Sequence, residues 1–328
     1  MRNSLESMEK NLALVAAITC CFGAASAARA QATYQFTTFD VPGAGSTHIY
    51  GISGSTIVGS FDDGQGEHGF VYNGSSFTTL NVPSAIQTEA LAVSGSLVVG
   101  DYTDSQGNFH GYVYNGSSYQ TLDDPLGAYG NSAKGISGTT IVGAYVASPP
   151  GGGNVHGYIY NNGIFSTFDD PSAIPGQSIA TGISGNTIVG NYSSVTGLHG
   201  FVYNGVMFTT LDDPLAGLVG ILGSGMHTTT AGVSGGTIVG DYLDSEAGSH
   251  GYVYDGSTYT TLDDSLGVNG TYVTGIDGTT IVGYYVGGTG VGINGFIATA
   301  VPEPTSLSLW TVGALILLRR RRRSSTGK

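Results

Sequence analysis

One short segment occurs six times along the chain, and it limits the fold more than any other feature. The copies are Gly51-Ile52-Ser53-Gly54, Ala92-Val93-Ser94-Gly95, Gly135-Ile136-Ser137-Gly138, Gly182-Ile183-Ser184-Gly185, Gly232-Val233-Ser234-Gly235 and Gly275-Ile276-Asp277-Gly278, at intervals of 41, 43, 47, 50 and 43 residues. Each copy is followed by an Ile/Val-Val-Gly stretch, as in Thr56 to Ser60, and then, in the first five, by His-Gly-aromatic, as in His110-Gly111-Tyr112. An Asn-Gly turn such as Asn73-Gly74 or Asn115-Gly116 comes next, and then an aromatic-Thr-Thr-Leu-Asp-Asp-Pro stretch, as in Phe208 to Pro214. Asn-Gly between alternating apolar runs is a hairpin signal. One unit therefore reads as four short antiparallel strands, a to d, and a period of about 44 residues with four strands fits a β-propeller blade.

The ends of the array predict how the ring closes. The sixth unit stops after its strand c, at Gly295 to Ala300, whereas a lone strand d, Tyr34 to Pro42, precedes the first unit. That strand would complete the last blade and leave no unpaired edge. An open solenoid has no reason to divide one unit between both ends. The expected fold is all-β, a six-bladed propeller over residues 33–300. The a–b and c–d turns are short and constant and share one face, while length varies in the b–c and d–a loops on the other, as at Ala147 to Asn154 and Leu215 to His227. Variable loops gathered on one face of a repeat protein are where binding is expected.

Charge narrows the partners. Residues 31–300 hold twenty acidic residues against one basic residue, Lys134, a net charge of −19. Phosphate contacts need Lys and Arg, so nucleic acid is excluded as a partner. Cys20 and Cys21 lie in the first, apolar stretch, so the body has no disulfide to hold it and depends on burial. Fifty-five glycines with abundant Thr, Val and Tyr again favour strands and tight turns.

Motifs that suggest chemistry read mostly as structure. His68, His110, His156, His199 and His250 each sit on a strand c, two strand spacings (~10 Å) out from strand a, so they point into separate blades and cannot converge on one ion. A residue repeated in nearly every blade, with Asn294 in the sixth place, suits a turn-capping hydrogen bond. Gly232-Val233-Ser234-Gly235-Gly236 matches a nucleophile elbow, but its sister units are plain turns and no strand-to-helix context is present. The Asp-Asp-Pro segments open turns. The better metal reading is Ca²⁺, a hard ion that suits carboxylate oxygens, with Asp101/Asp104 and Asp241/Asp244/Glu246 spaced to permit chelation. No cofactor is required.

The two ends carry export features. Arg2 and Lys10 precede an apolar run from Leu12 to Ala25, and Ala30-Gln31-Ala32 fits a signal-peptidase site, so residues 1–32 read as a signal peptide cut after Ala32. At the other end Val301-Pro302-Glu303-Pro304 is followed by an apolar segment, a membrane helix at about 306–318, and then by Arg319, Arg320, Arg321, Arg322 and Arg323, which would hold that end in the cytoplasm. This order of motif, helix and arginine cluster over residues 301–328 resembles the PEP-CTERM sorting signal of Gram-negative bacteria. The resemblance implies an exosortase as processing partner and a membrane-anchored precursor that reaches the cell surface or matrix. The His-Gly-aromatic-Val-Tyr units resemble HAF-type extracellular repeats, which implies little about activity. The expected function is a non-catalytic surface or matrix protein that binds neutral glycan or protein through its acidic loop face. A secreted glycan hydrolase or lyase on the same scaffold is the second reading.

Overall fold

A computed structural model describes residues 33–149, 154–217, 226–287 and 292–301. The signal segment with Ala32, the Pro302-Glu303-Pro304 motif, the apolar segment 306–318 and Arg319 to Arg323 lie outside the described residues, as do 150–153 and 218–225 of the two enlarged loops. Among the described residues no helix is long and apolar enough to cross a membrane. Val301 ends the last strand, and the compact body runs from Tyr34 to Ala300.

The body is six four-stranded antiparallel blades, the fourth and fifth of which are joined into one eight-stranded sheet by a short parallel pairing of Gly197 and Leu198 with Met226 and His227. Blade 1 is β2 (Ser46–Ser53), β3 (Thr56–Asp62), β4 (Glu67–Tyr72) and β5 (Phe77–Leu80); blade 2 is β6 (Gln87–Ser94), β7 (Leu97–Thr103), β8 (Phe109–Tyr114) and β9 (Tyr119–Thr121). Blade 3 is β10 (Asn131–Ser137), β11 (Thr140–Val146), β12 (Val155–Asn161) and β13 (Ile164–Thr167). Blade 4 is β14 (Ser178–Ser184), β15 (Thr187–Ser194), β16 (Gly197–Tyr203) and β17 (Phe208–Leu211). Blade 5 is β18 (Met226–Ser234), β19 (Thr237–Leu243), β20 (Ser249–Tyr254) and β21 (Tyr259–Leu262). Blade 6 takes β22 (Thr271–Asp277), β23 (Thr280–Val286) and β24 (Ile293–Val301) from the end of the body and β1 (Thr33–Thr38) from its start, in the order β1-β24-β23-β22. The lone strand d thus closes the last blade as the sequence predicts. Phe39 N–H donates to the Gly295 carbonyl at 2.8 Å, and Gly295 N–H donates to Asp40 Oδ1 at 3.0 Å.

The Ile-Val-Gly pattern explains the packing between blades. Successive side chains on a strand point to opposite faces, and in the second strand of each blade both apolar residues are buried. Ile57 packs within the cluster around Ile49 and Phe70 of its own blade, while Val58 packs with Ala90, Val93 and Val98 of blade 2. Val99, Val142, Val189 and Val239 likewise enter the cores of blades 3, 4, 5 and 6. Val282 of blade 6 packs against Ile49, Ile57 and Phe70 of blade 1, which completes the circle. The hydrophobic core is therefore six layers between blades.

Around the axis the first strands approach one another closely. Each carries a β-bulge at the residue before its small residue, for instance between Ile49 and Gly51. A methyl on Gly135 would lie 3.0 Å from Gly182 Cα, one on Gly232 3.1 Å from Gly275 Cα, and one on Gly275 3.0 Å from the Tyr50 carbonyl oxygen. This crowding accounts for the small first residue of every Gly/Ala-Ile/Val-Ser/Asp-Gly copy. The last residue serves another purpose: Gly54, Gly95, Gly138, Gly185, Gly235 and Gly278 have φ of 58–61°, the left-handed turn that glycine adopts without penalty. These turns bond blade to blade. Gly138 N–H donates to Ser94 Oγ and Gly185 N–H to Ser137 Oγ, and at the closing seam Gly54 N–H donates to Asp277 Oδ2 at 2.6 Å.

The fourth strands are shorter than the sequence pattern predicts. β17 stops at Leu211, before Asp212-Asp213-Pro214, and β1 stops at Thr38 rather than Pro42. The second Asp turns the chain: Asp213 Oδ1 accepts from Leu215 N–H at 2.8 Å, as Asp124 Oδ1 does from Leu126 N–H.

Candidate binding site

The repeated histidines are structural. Nδ1 of His110 and of His156 lies 2.7 Å from Oδ2 of Asp123 and of Asp169, Nδ1 of His199 lies 2.8 Å from Asp212, and Nδ1 of His250 lies 2.9 Å from Asp263. An ionised carboxylate only accepts, so Nδ1 carries the hydrogen. Each ring also stacks on a tyrosine of the second strand, Tyr102, Tyr145, Tyr192 or Tyr242, at 5.0–5.2 Å. Asp123 and Asp169 use their other oxygen to accept the Gly111 and Gly157 N–H. Burial works against charging His110 and His250, yet their Asp partners outweigh it and hold both above the usual histidine range. His68 pairs with Asn81 instead, and Asn294 stands in the sixth place, where Asp40 keeps its bond to the glycine N–H. The hydrogen-bonding role read from the repeat holds for the five histidines, whereas Asn294 bonds the Gly292 carbonyl.

The carboxylates singled out for calcium are not brought together. Asp101 lies on β7 and accepts from Ser132 Oγ of blade 3 at 2.6 Å. Asp104 folds over its own turn and accepts from the backbone of Gln106 and Asn108 and from Asn108 Nδ2. Asp241 is turned to Thr229 Oγ1 at 2.8 Å, while Asp244 takes the N–H groups of Glu246 and Gly248. Glu246 is exposed. The spacing along the chain misleads because Asp101 and Asp241 lie within strands, whereas Asp104, Asp244 and Glu246 follow the strand ends. Among the described residues no group of three His, Cys, Asp or Glu side chains could hold a metal ion.

What the fold does assemble is a cavity of about 210 Å³ between blades 2, 3 and 4, on the face of the variable loops. Asp101, Ser132 and Lys134 supply polar groups, and Phe109 and Tyr129 stand at its walls, 55% and 48% exposed. A second hollow of about 110 Å³ adjoins it at Asp101 and Phe109 and includes Glu89. Lys134 also lines the axial channel of about 90 Å³, to which all six first strands contribute. Lys134 is the only Lys or Arg of the body, and it lies at the bulge of β10, which turns it out of the regular alternation.

The acids here are perturbed by their surroundings. Burial pushes the Glu89 carboxyl up to about 8, helped by the charges of Asp101 and Glu67 and by the hydrogen bond that its proton donates to Glu67, and opposed by Lys134. Burial also raises Asp101, against the pull of Lys134 and Ser132. Ser60 Oγ donates to Glu67 Oε1 at 2.8 Å, fixing the partner of Glu89. Glu89 and Asp101 face each other across β6 and β7. No sister unit has two acids at this register, so the pair is unique to blade 2. A search for acids in the loops passes over it because both residues lie inside strands. Alignment of the six units by their glycines exposes it.

No family model matches the chain, and no curated protein matches it. Solved structures do. A lectin from Aleuria aurantia in complex with alpha-methyl-L-fucoside is 15% identical, with 82% of this chain and 98% of the lectin covered at a TM-score of 0.50. Another structure of a lectin from this source, described as a six-bladed β-propeller with a novel fucose recognition mode, is 13% identical over 84% of this chain and 97% of its own, with a TM-score of 0.49. The β-propeller domain of the Trilobed protease from Pyrococcus furiosus is 9% identical over 79% and 99%, at 0.44. At these identities the likeness concerns the fold, and the fold of this chain is a β-propeller.

Proposed function

We propose that the protein is a non-catalytic glycan-binding propeller of the cell surface or extracellular matrix, exported through its N-terminal segment and sorted through its PEP-CTERM-like tail by an exosortase. The observation that carries the binding role is the cavity between blades 2, 3 and 4. It combines the exposed rings of Phe109 and Tyr129 with a carboxylate, a hydroxyl and an ammonium. Aromatic faces cover the apolar side of a sugar ring, and a few convergent polar groups fix its hydroxyls. The repeated His and Asp side chains bond one another and their own turns, which gives them a structural task in blades 2 to 5. Glycan-binding lectins with the same fold support the reading. A glycan array is the test, followed by titration of Phe109→Ala and Tyr129→Ala. Each substitution should weaken the selected glycan at least tenfold with the melting temperature unchanged, and an array with no binder would remove the proposal.

One observation favours the second reading, a glycan hydrolase or lyase. Glu89, held protonated near neutrality, stands across from Asp101, and a protonated acid facing a second carboxyl is an arrangement that acid–base catalysis uses. Release of reducing ends from a bound glycan, lost in Glu89→Gln, would decide for it.

A further inference from the structure

The six units repeat their structural residues and differ where the first strand meets the second just above the bulge. The facing pairs there are His48 and Ser60, Glu89 and Asp101, Ser132 and Ala144, Ile179 and Asn191, Thr229 and Asp241, and Tyr272 and Tyr284. One register further on, towards the variable face, the pairs are nearly uniform: Thr, Asn or Ser against Tyr or Phe in every blade. The bulge residues Tyr50, Leu91, Lys134, Thr181, Ala231 and Thr274 also differ, and all six line the axial channel. Six copies that agree elsewhere therefore present one unsymmetrical ring around the axis.

The ring has an aromatic sector and an acidic sector side by side. Tyr272 stacks on Tyr284 at 4.9 Å, Tyr284 meets His48 edge-on at 4.8 Å, and His48 stacks on Tyr50 at 5.9 Å. Tyr50 lies within electrostatic reach of Glu89 and Glu67, and Tyr284 within reach of Asp241 and Glu89, so the two sectors converge. Two further groups point the same way. The Tyr112 and Tyr252 side chains are fully buried, and their hydroxyls have no hydrogen-bond partner among the described residues. Tyr112 is close enough to feel the charges of Asp101 and Glu89, and Tyr252 that of Asp241. Against Glu67, Glu89, Asp101 and Asp241 stands one cation, Lys134, whose pull is felt at Asp101 and Glu89.

We propose that this axial mouth binds an organic ammonium group, so that the glycan the propeller takes up is one with free amines, a de-N-acetylated amino-sugar chain. The inference rests on the glycan-binding reading above. Aromatic faces beside carboxylates are the arrangement that receives an organic cation. The body charge of −19 draws such a chain and repels acidic polysaccharides. The proton held at Glu89 is the occupant that an arriving ammonium displaces, so binding releases a proton at neutral pH.

The test is calorimetric titration of the body, residues 33–301, at pH 7 with three probes: a glucosamine tetramer, the N-acetylglucosamine tetramer and a neutral glucose tetramer. The glucosamine tetramer should bind at least tenfold tighter than the other two, with a heat that depends on the buffer's ionisation enthalpy. In the Glu67→Gln/Glu89→Gln double variant both the preference and the proton release should vanish. That variant leaves eighteen of the twenty acids, so general charge attraction would survive in it. Equal affinity for the three tetramers, or a double variant that keeps the preference, would overturn the ammonium site and leave glycan binding standing. Absence of binding to all three would overturn this inference, and the glycan array would then decide the broader reading by itself.

Discussion

Glu89→Gln isolates a single proton that stabilises the fold. Glu89 belongs to blade 2 and its hydrogen-bond partner Glu67 to blade 1, so their bond crosses a seam between blades. Burial, Asp101 and Glu67 push the Glu89 carboxyl from 4.5 to about 8. A carboxyl raised on folding keeps its proton in the native state and loses it in the unfolded chain. Its contribution is therefore complete below pH 4.5 and is lost as pH rises, until the folded protein also ionises near pH 8. At about 1.4 kcal/mol per pH unit, the loss between pH 6 and 8 is about 2 kcal/mol. Other groups titrate nearby: burial raises Asp241 to about 6, and His110 and His250 are raised by their Asp partners. Gln keeps the shape and a donor for Glu67, and leaves those groups in place. Urea unfolding at pH 5, 6, 7 and 8 should show wild type and Glu89→Gln nearly equal at pH 5. At pH 8 the variant should be the more stable by at least about 2 kcal/mol, with the same denaturant slope. Parallel curves at all four pH values would refute the shared proton.

Three further outcomes are expected. Deleting residues 33–42 removes β1 and exposes the edge of β24, and melting should become broad and begin at least 10 °C lower, as followed by circular dichroism. Gly59→Ala should cost about 3 kcal/mol or more in urea unfolding, because the new methyl would strike the His48 carbonyl oxygen and the Phe70 ring. Gly54→Ala, with open space around it and φ of 59°, should cost only about 1 kcal/mol. Cleavage near Pro304 should leave a surface-released protein without Trp310, the chain's only tryptophan, so that intact mass and the absence of tryptophan emission check the processing together.

The blade count, the strand order and the closing role of Tyr34 to Pro42 were legible because local signals coincide with the repeat. Asn-Gly turns, Ile-Val-Gly runs and His-Gly-aromatic segments each specify a short piece of chain, and six copies remove the ambiguity of any one. The hydrogen-bonding role of the histidines was legible too from their recurrence, although Asn294 in the sixth place turns to the Gly292 carbonyl and not to the strand-d acid. The candidate site was not. Asp101 was grouped with Asp104 because they are three residues apart, yet it belongs with Glu89 and with Ser132, thirty-one residues away. Lys134 stood out only as a charge count. Its place on the axis follows from a bulge that the sequence pattern does not announce. Tyr129 reads as an ordinary loop residue until the cavity beside it is known.

Because Val58, Val99, Val142, Val189, Val239 and Val282 each leave their own blade to fill the next, no blade owns the core it rests on. Such a ring has no preferred starting point apart from the place where the backbone is interrupted. Joining the two ends of the body by a short linker and reopening the chain within a loop of the variable face, for example after Ser105, would leave every layer intact. The order of the blades along the chain is thus a matter of bookkeeping, whereas every layer needs a blade on each side of it. Loop length and the point where the chain begins can therefore change without touching a layer, and a change in size comes only by whole blades.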